Sequence, residues 1–172
     1  MKKFEQIQWI FDQHRNTNHM YDTYLPYEFH LNMVATAGQK FVHLMPITEP
    51  GALKLALLGH DLIEDTRVSY NDVKLALGEY AAEIIYAVSN EKGKTRKDRA
   101  NDKYYEGIRM TPGAVFVKLC DRIANVQYSK MTGSSMHAKY KRENDDFMAG
   151  LGRRTGNQYE EMYQYLIDLF EN

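Results

Sequence analysis

Apolar residues recur at helical spacing along almost the whole chain, and nowhere do several short alternating segments follow one another through hairpin turns. That pattern directs the 172-residue chain to an all-α fold. The last segment is the plainest case: Tyr159, Met162, Tyr163, Leu166, Leu169 and Phe170 fall on one helical stripe behind Gly156. Near the N-terminus Phe4, Ile7, Ile10 and Phe11 share a face, and the polar stretch from Asn16 to Thr23 reads as loop. Pro26 sits where the first turn of a helix tolerates its fixed φ, so a helix is expected from there to about Gly38, running on toward Met45. After a break at Pro46 to Gly51, residues 51–65 predict a second helix, apolar nearly all round and therefore central. Ser69 or Asn71 is placed to cap a short helix, and EYAAEIIYAV follows it. The charged residues 91–103 read as a loop leading into a helix through Tyr104 and Ile108; Thr111-Pro112-Gly113 punctuates, and another helix begins at Ala114. The expectation is one domain over residues 1–172, an all-α bundle of about seven to nine helices.

Composition narrows the function classes. Lys and Arg number 22 against 23 Asp and Glu, a net charge of −1, which argues against coating nucleic acid or an anionic membrane. No apolar run approaches the ~20 residues of a membrane helix, and MKKFEQIQWIFDQH has no continuous apolar stretch behind its lysines, so a secretory signal is not expected. The single cysteine, Cys120, excludes an intrachain disulfide and a cysteine-built zinc site; it reads as a small core residue in a cytoplasmic protein. A P-loop signature and a Gly-x-Ser-x-Gly elbow are both missing from the sequence.

The chemistry lies in a few ionisable residues set among apolar ones. In the helical segment His60-Asp61-Leu62-Ile63-Glu64-Asp65, His60 shares a face with Glu64, and Asp61 with Asp65. Four such groups on an otherwise apolar helix cost several kcal/mol each to bury unpartnered, and a divalent cation would neutralise them. The alternative is an ordinary helix end with Glu64, Asp65 and Thr66 in solvent. His30 lies between Phe29 and Leu31, either a ligand or a hydrogen-bonded core residue. Asp121 follows the apolar run Ala114 to Leu119, either a ligand or the partner of Lys118 or Arg122, and Asn125 is one turn further along its face. Two imidazoles and two carboxylates with open positions suit Mn²⁺, Fe²⁺ or Zn²⁺ better than a structural zinc site.

The order His30, then His60-Asp61, then Asp121 resembles the H…HD…D pattern of the HD metal-dependent phosphohydrolase superfamily. More narrowly, YLPYEFHLNMVA, ALLGHDLIEDT and FVKLCDRIANV resemble three blocks of the RelA/SpoT hydrolase domain, as found in small alarmone hydrolases and the metazoan SpoT homologue. The likeness covers roughly Pro26 to Val126 and weakens toward Leu151. The HD pair is widespread, whereas the HD-x-x-E-D-T and K-L-x-D-R-x-x-N blocks are more specific to the alarmone branch.

The resemblance implies an HD-domain helical bundle in which His30, His60, Asp61 and Asp121 hold one divalent ion, usually manganese in this family. It implies that Glu64 and Asp65 orient and activate the attacking water; one helical step, about 100°, separates the two, and our own expectation is that Asp65 lies nearer to it. Asn125 would line the nucleotide pocket, Arg96 or Lys97 would stand near the phosphates, and Tyr140 would pack beside the nucleoside. The implied reaction is hydrolysis of guanosine 3′-diphosphate 5′-di(tri)phosphate to pyrophosphate and GDP or GTP, lowering the stringent-response signal. With no room for the synthetase domain of bifunctional relatives, hydrolysis alone is expected. The stretch NHMYDTYL departs from the family, whose members carry basic residues before the Pro-Tyr pair to hold guanine and ribose; Arg15 is the nearest candidate. That departure opens a second expectation, a phosphatase for nucleoside monophosphates or the 2′-phosphate of NADPH. A third, of another class, is a helical module that senses a nucleotide without turning it over.

Overall fold

A computed structural model describes residues 2–46, 49–89 and 95–171, the side chains of Arg96 and Lys97 excepted. The described residues hold eleven α-helical segments: α1 (Lys3–Asn16), α2 (Glu28–Phe41), α3 (Pro50–Gly59), α4 (Leu62–Asp65), α5 (Tyr70–Leu77), α6 (Glu79–Val88), α7 (Arg96–Arg99), α8 (Asp102–Met110), α9 (Ala114–Met131), α10 (Ser135–Gly150) and α11 (Glu160–Glu171). Nine of these run to eight residues or more, and α4 and α7 are single turns, so the expected all-α architecture holds.

The longest helix, α9, is the axis of the fold. Phe116, Val117, Leu119, Cys120, Ile123, Ala124 and Val126 are at most 1% exposed, and α2, α3, α6, α8, α10 and α11 all pack on it. Full burial of each large aliphatic or aromatic side chain contributes about 1.5–3 kcal/mol, which makes α9 the least replaceable element. Its position fixes that of Asp121, in the middle of the helix, at the edge of the apolar face. Helix α2 lies against both α9 and α3, so His30 and the end of α3 are brought to the same place.

Three local features differ from expectation. Residues 51–65 do not form one helix: α3 ends at Gly59, His60 keeps helical angles, Asp61 turns to φ −99°, ψ 4°, and α4 resumes at Leu62. The shared-face pairing of a continuous helix is therefore broken at the His-Asp pair, although Asp65 N still donates to Asp61 O at 2.9 Å. Gly59 permits the break, because a Cβ there would lie 2.9 Å from Ile85 Cδ1 and 3.0 Å from Leu62 Cδ1. Second, a small antiparallel hairpin begins within the expected loop and runs past it to the expected helix start: β1 (Met20–Tyr21) pairs with β2 (Leu25–Pro26), Met20 with Pro26 and Tyr21 with Leu25. Pro26 thus closes a strand, and α2 starts two residues later. Asn18 (φ 51°), between α1 and β1, and Asp22 (φ 57°), in the turn between the strands, are residue types whose short polar side chains tolerate the left-handed region. Third, α10 was not anticipated, because among its sixteen residues only Asn144, Phe147 and Met148 are buried, too few to print a stripe. Ser69, of the two candidate caps, is the one used: it accepts from Asp72 N in a reciprocal capping box.

Candidate active site

The three segments that carry His30, His60-Asp61 and Asp121 meet at one point. His30 projects from the first turn of α2, His60 and Asp61 from the break between α3 and α4, and Asp121 from the middle of α9. His30 Nε2 and His60 Nε2 are 3.3 Å apart, and Asp121 Oδ1 lies 3.4 Å from the first and 3.6 Å from the second. Asp61 Oδ2 is 2.9 Å from His60 Nε2 and 3.8 Å from His30 Nε2. One donor atom from each of His30, His60 and Asp121 falls within 4.8 Å of the others, a spacing that suits a shared cation.

Outer contacts aim these donors. The break after Gly59 leaves the carbonyls of the last turn of α3 without helical partners. Leu57 O accepts from His60 Nδ1 at 3.0 Å, which places a proton on Nδ1 and turns Nε2 toward the cluster. Asp121 divides its two oxygens: Oδ2 is 3.1 Å from Lys118 Nζ, while Oδ1 accepts from Asn125 Nδ2 at 2.6 Å. Tyr27 donates its hydroxyl to Asp61 Oδ2. His30 and His60 are each 1% exposed, so the donors sit at the closed end of the site.

The electrostatics show how strongly this spot favours positive charge. Burial by itself would lower the basicity of His60, yet Asp61 and Asp121 override it and raise the imidazole from 6.5 to about 10. Burial would likewise push Asp121 up, but Lys118 and the two imidazoles hold it well below the ordinary carboxylate range. Asp61 is lowered against its burial by His60. Two ionised carboxylates thus stabilise a cationic charge among the ring nitrogens. Mixed nitrogen and oxygen donors with that charge fit a divalent ion of the manganese, iron or zinc kind.

A cavity of about 910 Å³ opens from the cluster, at the upper end of the usual range for small-molecule sites. Glu64 and Asp65 stand on its wall, and burial, with the Asp61 and Glu64 carboxylates, raises Asp65 to about 7. Asn125 and Tyr140 also line it, as do the cations Arg99, Arg109, Lys118 and Arg122. The Arg122 guanidinium lies over two rings, 4.8 Å from the centre of Tyr140 and 4.2 Å from that of Phe147. The expected phosphate-contacting residues Arg96 and Lys97 belong to the single turn α7, but their side chains lie outside the described residues. Arg15, the nearest basic residue in the divergent first block, pairs instead with Glu28 at 2.5 Å and Asp12 at 3.2 Å.

Sequence reasoning passed over several residues that shape this site. Tyr21, in the stretch read as loop, and Tyr27, just behind Pro26 at the expected helix start, are ordinary aromatics in the sequence, and only the fold brings them to Asn125 and Asp61, 104 and 34 positions away. His14 and His19, which in the sequence flank a possible pocket loop but lack companions at ligand spacing, come together with Nδ1 atoms 3.1 Å apart, both stacked on Tyr27, and His19 Nε2 lies 3.8 Å from Asp65 Oδ2. Lys118 was legible, as the ion-pair partner alternative for Asp121. The structure makes the two roles compatible, since Lys118 takes the oxygen turned away from the rings.

No protein-family model matches the chain. Among curated proteins it is similar to guanosine-3′,5′-bis(diphosphate) 3′-pyrophosphohydrolase MESH1 of Danio rerio, 27% identical over 123 residues, covering 72% of this chain and 66% of that protein. The Homo sapiens protein of the same name is 29% identical over 98 residues, covering 57% of this chain and 54% of its own length. A guanosine-3′,5′-bis(diphosphate) 3′-pyrophosphohydrolase of Aquifex aeolicus is 29% identical over 119 residues, 61% of this chain and 17% of that much longer protein. The chain therefore spans about half to two thirds of the length of the MESH1 relatives it matches. In three dimensions it shares an all-helical fold with a solved protein. The solved structure concerned is that of a metazoan ortholog of SpoT described as hydrolysing ppGpp, matched with a TM-score of 0.76 and 21% identity over 99% of this chain and 95% of that one.

Proposed function

We propose that this protein is a divalent-metal-dependent pyrophosphohydrolase acting on the 3′-diphosphate of guanosine 3′-diphosphate 5′-di(tri)phosphate, releasing pyrophosphate and GDP or GTP. The observation that carries the reading is the meeting of two imidazoles and two carboxylates at the closed end of a cavity whose wall bears the Glu64 and Asp65 carboxylates and several cations, Arg99, Arg109, Lys118 and Arg122. The names and fold of the similar proteins point to the same chemistry.

In this reading His30, His60, Asp61 and Asp121 hold the ion; the mixed donor set suits manganese, iron or zinc, and manganese is the one we infer from the resemblance to the RelA/SpoT hydrolase domain. When bound, such an ion neutralises phosphoryl oxygens and makes water more acidic. The protein's own groups do the rest. Asp65 accepts the proton of the attacking water at its carboxylate, and Glu64 beside it orients that water. Lys118, Arg122 and Arg99 line the cavity where a polyphosphate would need cationic partners, Arg supplying a bidentate fork. Asn125 and Tyr140 shape the part of the cavity offered to the nucleoside. We infer the cytoplasm as the setting, consistent with the sole cysteine being buried in the core; among the described residues no helix is long and apolar enough to cross a membrane.

One observation favours a second substrate. Arg15 is engaged by Glu28 and Asp12, so the first block presents an aromatic hairpin in place of the basic residues that hold guanine elsewhere. A nucleoside monophosphate or the 2′-phosphate of NADPH is the alternative. A Mn²⁺-supplemented assay of the purified protein against alarmones, mononucleotides and NADPH, with products separated by chromatography, tests both. Pyrophosphate with GDP or GTP supports the leading reading, and orthophosphate from a monophosphate or NADPH replaces it. Binding with no metal-dependent turnover of any nucleotide identifies a sensing module.

A further inference from the structure

The hairpin that sequence periodicity could not announce reaches into the outer contacts of the candidate metal centre. Tyr21, on β1, lies flat against the His30 ring, centroids 4.7 Å apart and planes within 14°. Its hydroxyl donates to Asn125 Oδ1 at 3.0 Å. The other end of that amide donates from Nδ2 to Asp121 Oδ1 at 2.6 Å and to Asp121 O at 3.1 Å. The amide can face only one way: turned over, it would set Oδ1 against the Asp121 carboxylate. Tyr21 holds the orientation that keeps an N–H on Asp121.

A second bond secures the hairpin. Asp121, Asn125 and Tyr128 follow one another at i, i+4 and i+7 on α9, and so share a stripe. Tyr128 donates back to Asp22 Oδ2 at 2.8 Å, and its ring meets that of Tyr21 edge-on at 4.8 Å. The hairpin is therefore tied to α9 twice, with donors running in opposite directions, and the tie nearer the cluster ends on Asp121.

We propose that Tyr21 is a positioning residue for the metal centre. Through Asn125 it fixes the rotamer of Asp121, and its ring pins the His30 imidazole. It would touch neither the metal nor the substrate. Asn125 then serves Asp121 first, whatever it also offers to a nucleotide. The inference rests on the cluster holding a divalent ion and is independent of which nucleotide is hydrolysed.

The test is calorimetric titration of Mn²⁺ into metal-stripped protein, with thermal melting of the same metal-free samples. Tyr21→Phe keeps the ring and deletes the hydroxyl. Loss of an outer partner of a metal ligand weakens metal binding by about 10–100-fold, and that is the expected change in Kd. Melting of the metal-free variant should fall by at most about 4 °C, the scale of one neutral hydrogen bond. Asn125→Ala should weaken binding as much, and the Tyr21→Phe/Asn125→Ala pair should bind no more weakly than Asn125→Ala, because the two act in series. Tyr24→Phe, in the exposed turn of the same hairpin, should match the wild type. A Tyr21→Phe affinity within about twofold of wild type, or losses that multiply in the double variant, would overturn the proposal. Wild type that binds Mn²⁺ but hydrolyses no nucleotide would defeat the functional reading and leave this inference standing. Wild type that binds no divalent ion would defeat both.

Discussion

His14 offers a quantitative test of the packing beside the site. It closes the last turn of α1, is fully buried, stacks on Tyr27 with centroids 4.7 Å apart, and has no hydrogen-bond partner for Nε2 among the described residues. Burial lowers its pKa from 6.5 to about 4; Asp61 opposes this, while His19, His60 and His30 add to it. In the unfolded chain the imidazole takes up a proton below 6.5, and in the folded protein only below about 4. The unfolded state thus binds more protons in that window, and the fold loses stability as the pH falls through it. At ~1.36 kcal/mol per pH unit the full loss from this one residue is about 3.4 kcal/mol, of which about 2.5 kcal/mol is reached by pH 4.5. His14→Phe keeps the stack and removes the proton site. Urea denaturation of metal-stripped protein at pH 7.5 and 4.5 should show wild type losing about 2.5 kcal/mol more than the variant, ~5–10 °C in melting temperature. Parallel pH curves for the two proteins, or a wild type that gains on the variant in acid, would refute the argument, since titrating groups remote from His14 cancel in the difference.

Three further perturbations test the site. Asp121→Ala should abolish the Mn²⁺-induced rise in melting temperature and destabilise the metal-free protein by about 3 kcal/mol, because it strands the buried Lys118 ammonium; adding Lys118→Met should restore most of the stability and none of the metal response. Gly59→Ala should cost about 1–3 kcal/mol by overpacking, and it should weaken Mn²⁺ binding in a titration, since the new Cβ meets Ile85 and Leu62 one residue before His60. Asp65→Asn should lower kcat by about 10²-fold or more, the scale of a lost general base, with Glu64→Gln smaller and Mn²⁺ affinity unchanged in both, as measured by product release under saturating substrate.

Much of this molecule could be read before folding. Helices such as α6, α9 and α11 carry wide apolar stripes, and the burial of Phe116, Ile123, Met162 and Leu166 follows from period alone. Helix α10 escaped because long charged residues cover most of its surface, and the hairpin because two-residue strands are shorter than any period. The break at His60-Asp61 escaped for another reason: the pattern of apolar residues continues across it, while the chain turns on the close approach of Gly59 to Ile85 and Leu62. His30, His60, Asp61 and Asp121 were legible because ionisable groups in apolar surroundings demand compensation. Tyr21, Tyr27 and His14 were not, since their partners lie on other segments and no local spacing joins an aromatic residue to a carboxamide 104 positions later.

The claim on which the rest depends is that His30, His60, Asp61 and Asp121 hold one cation. Crystals grown with Mn²⁺, measured for anomalous scattering at the manganese edge, test it directly. The account predicts a single strong peak at coordination distance, about 2.0–2.3 Å, from both Nε2 atoms and an oxygen of each aspartate. No peak there, or a peak elsewhere with these four side chains left paired only to one another, would contradict it.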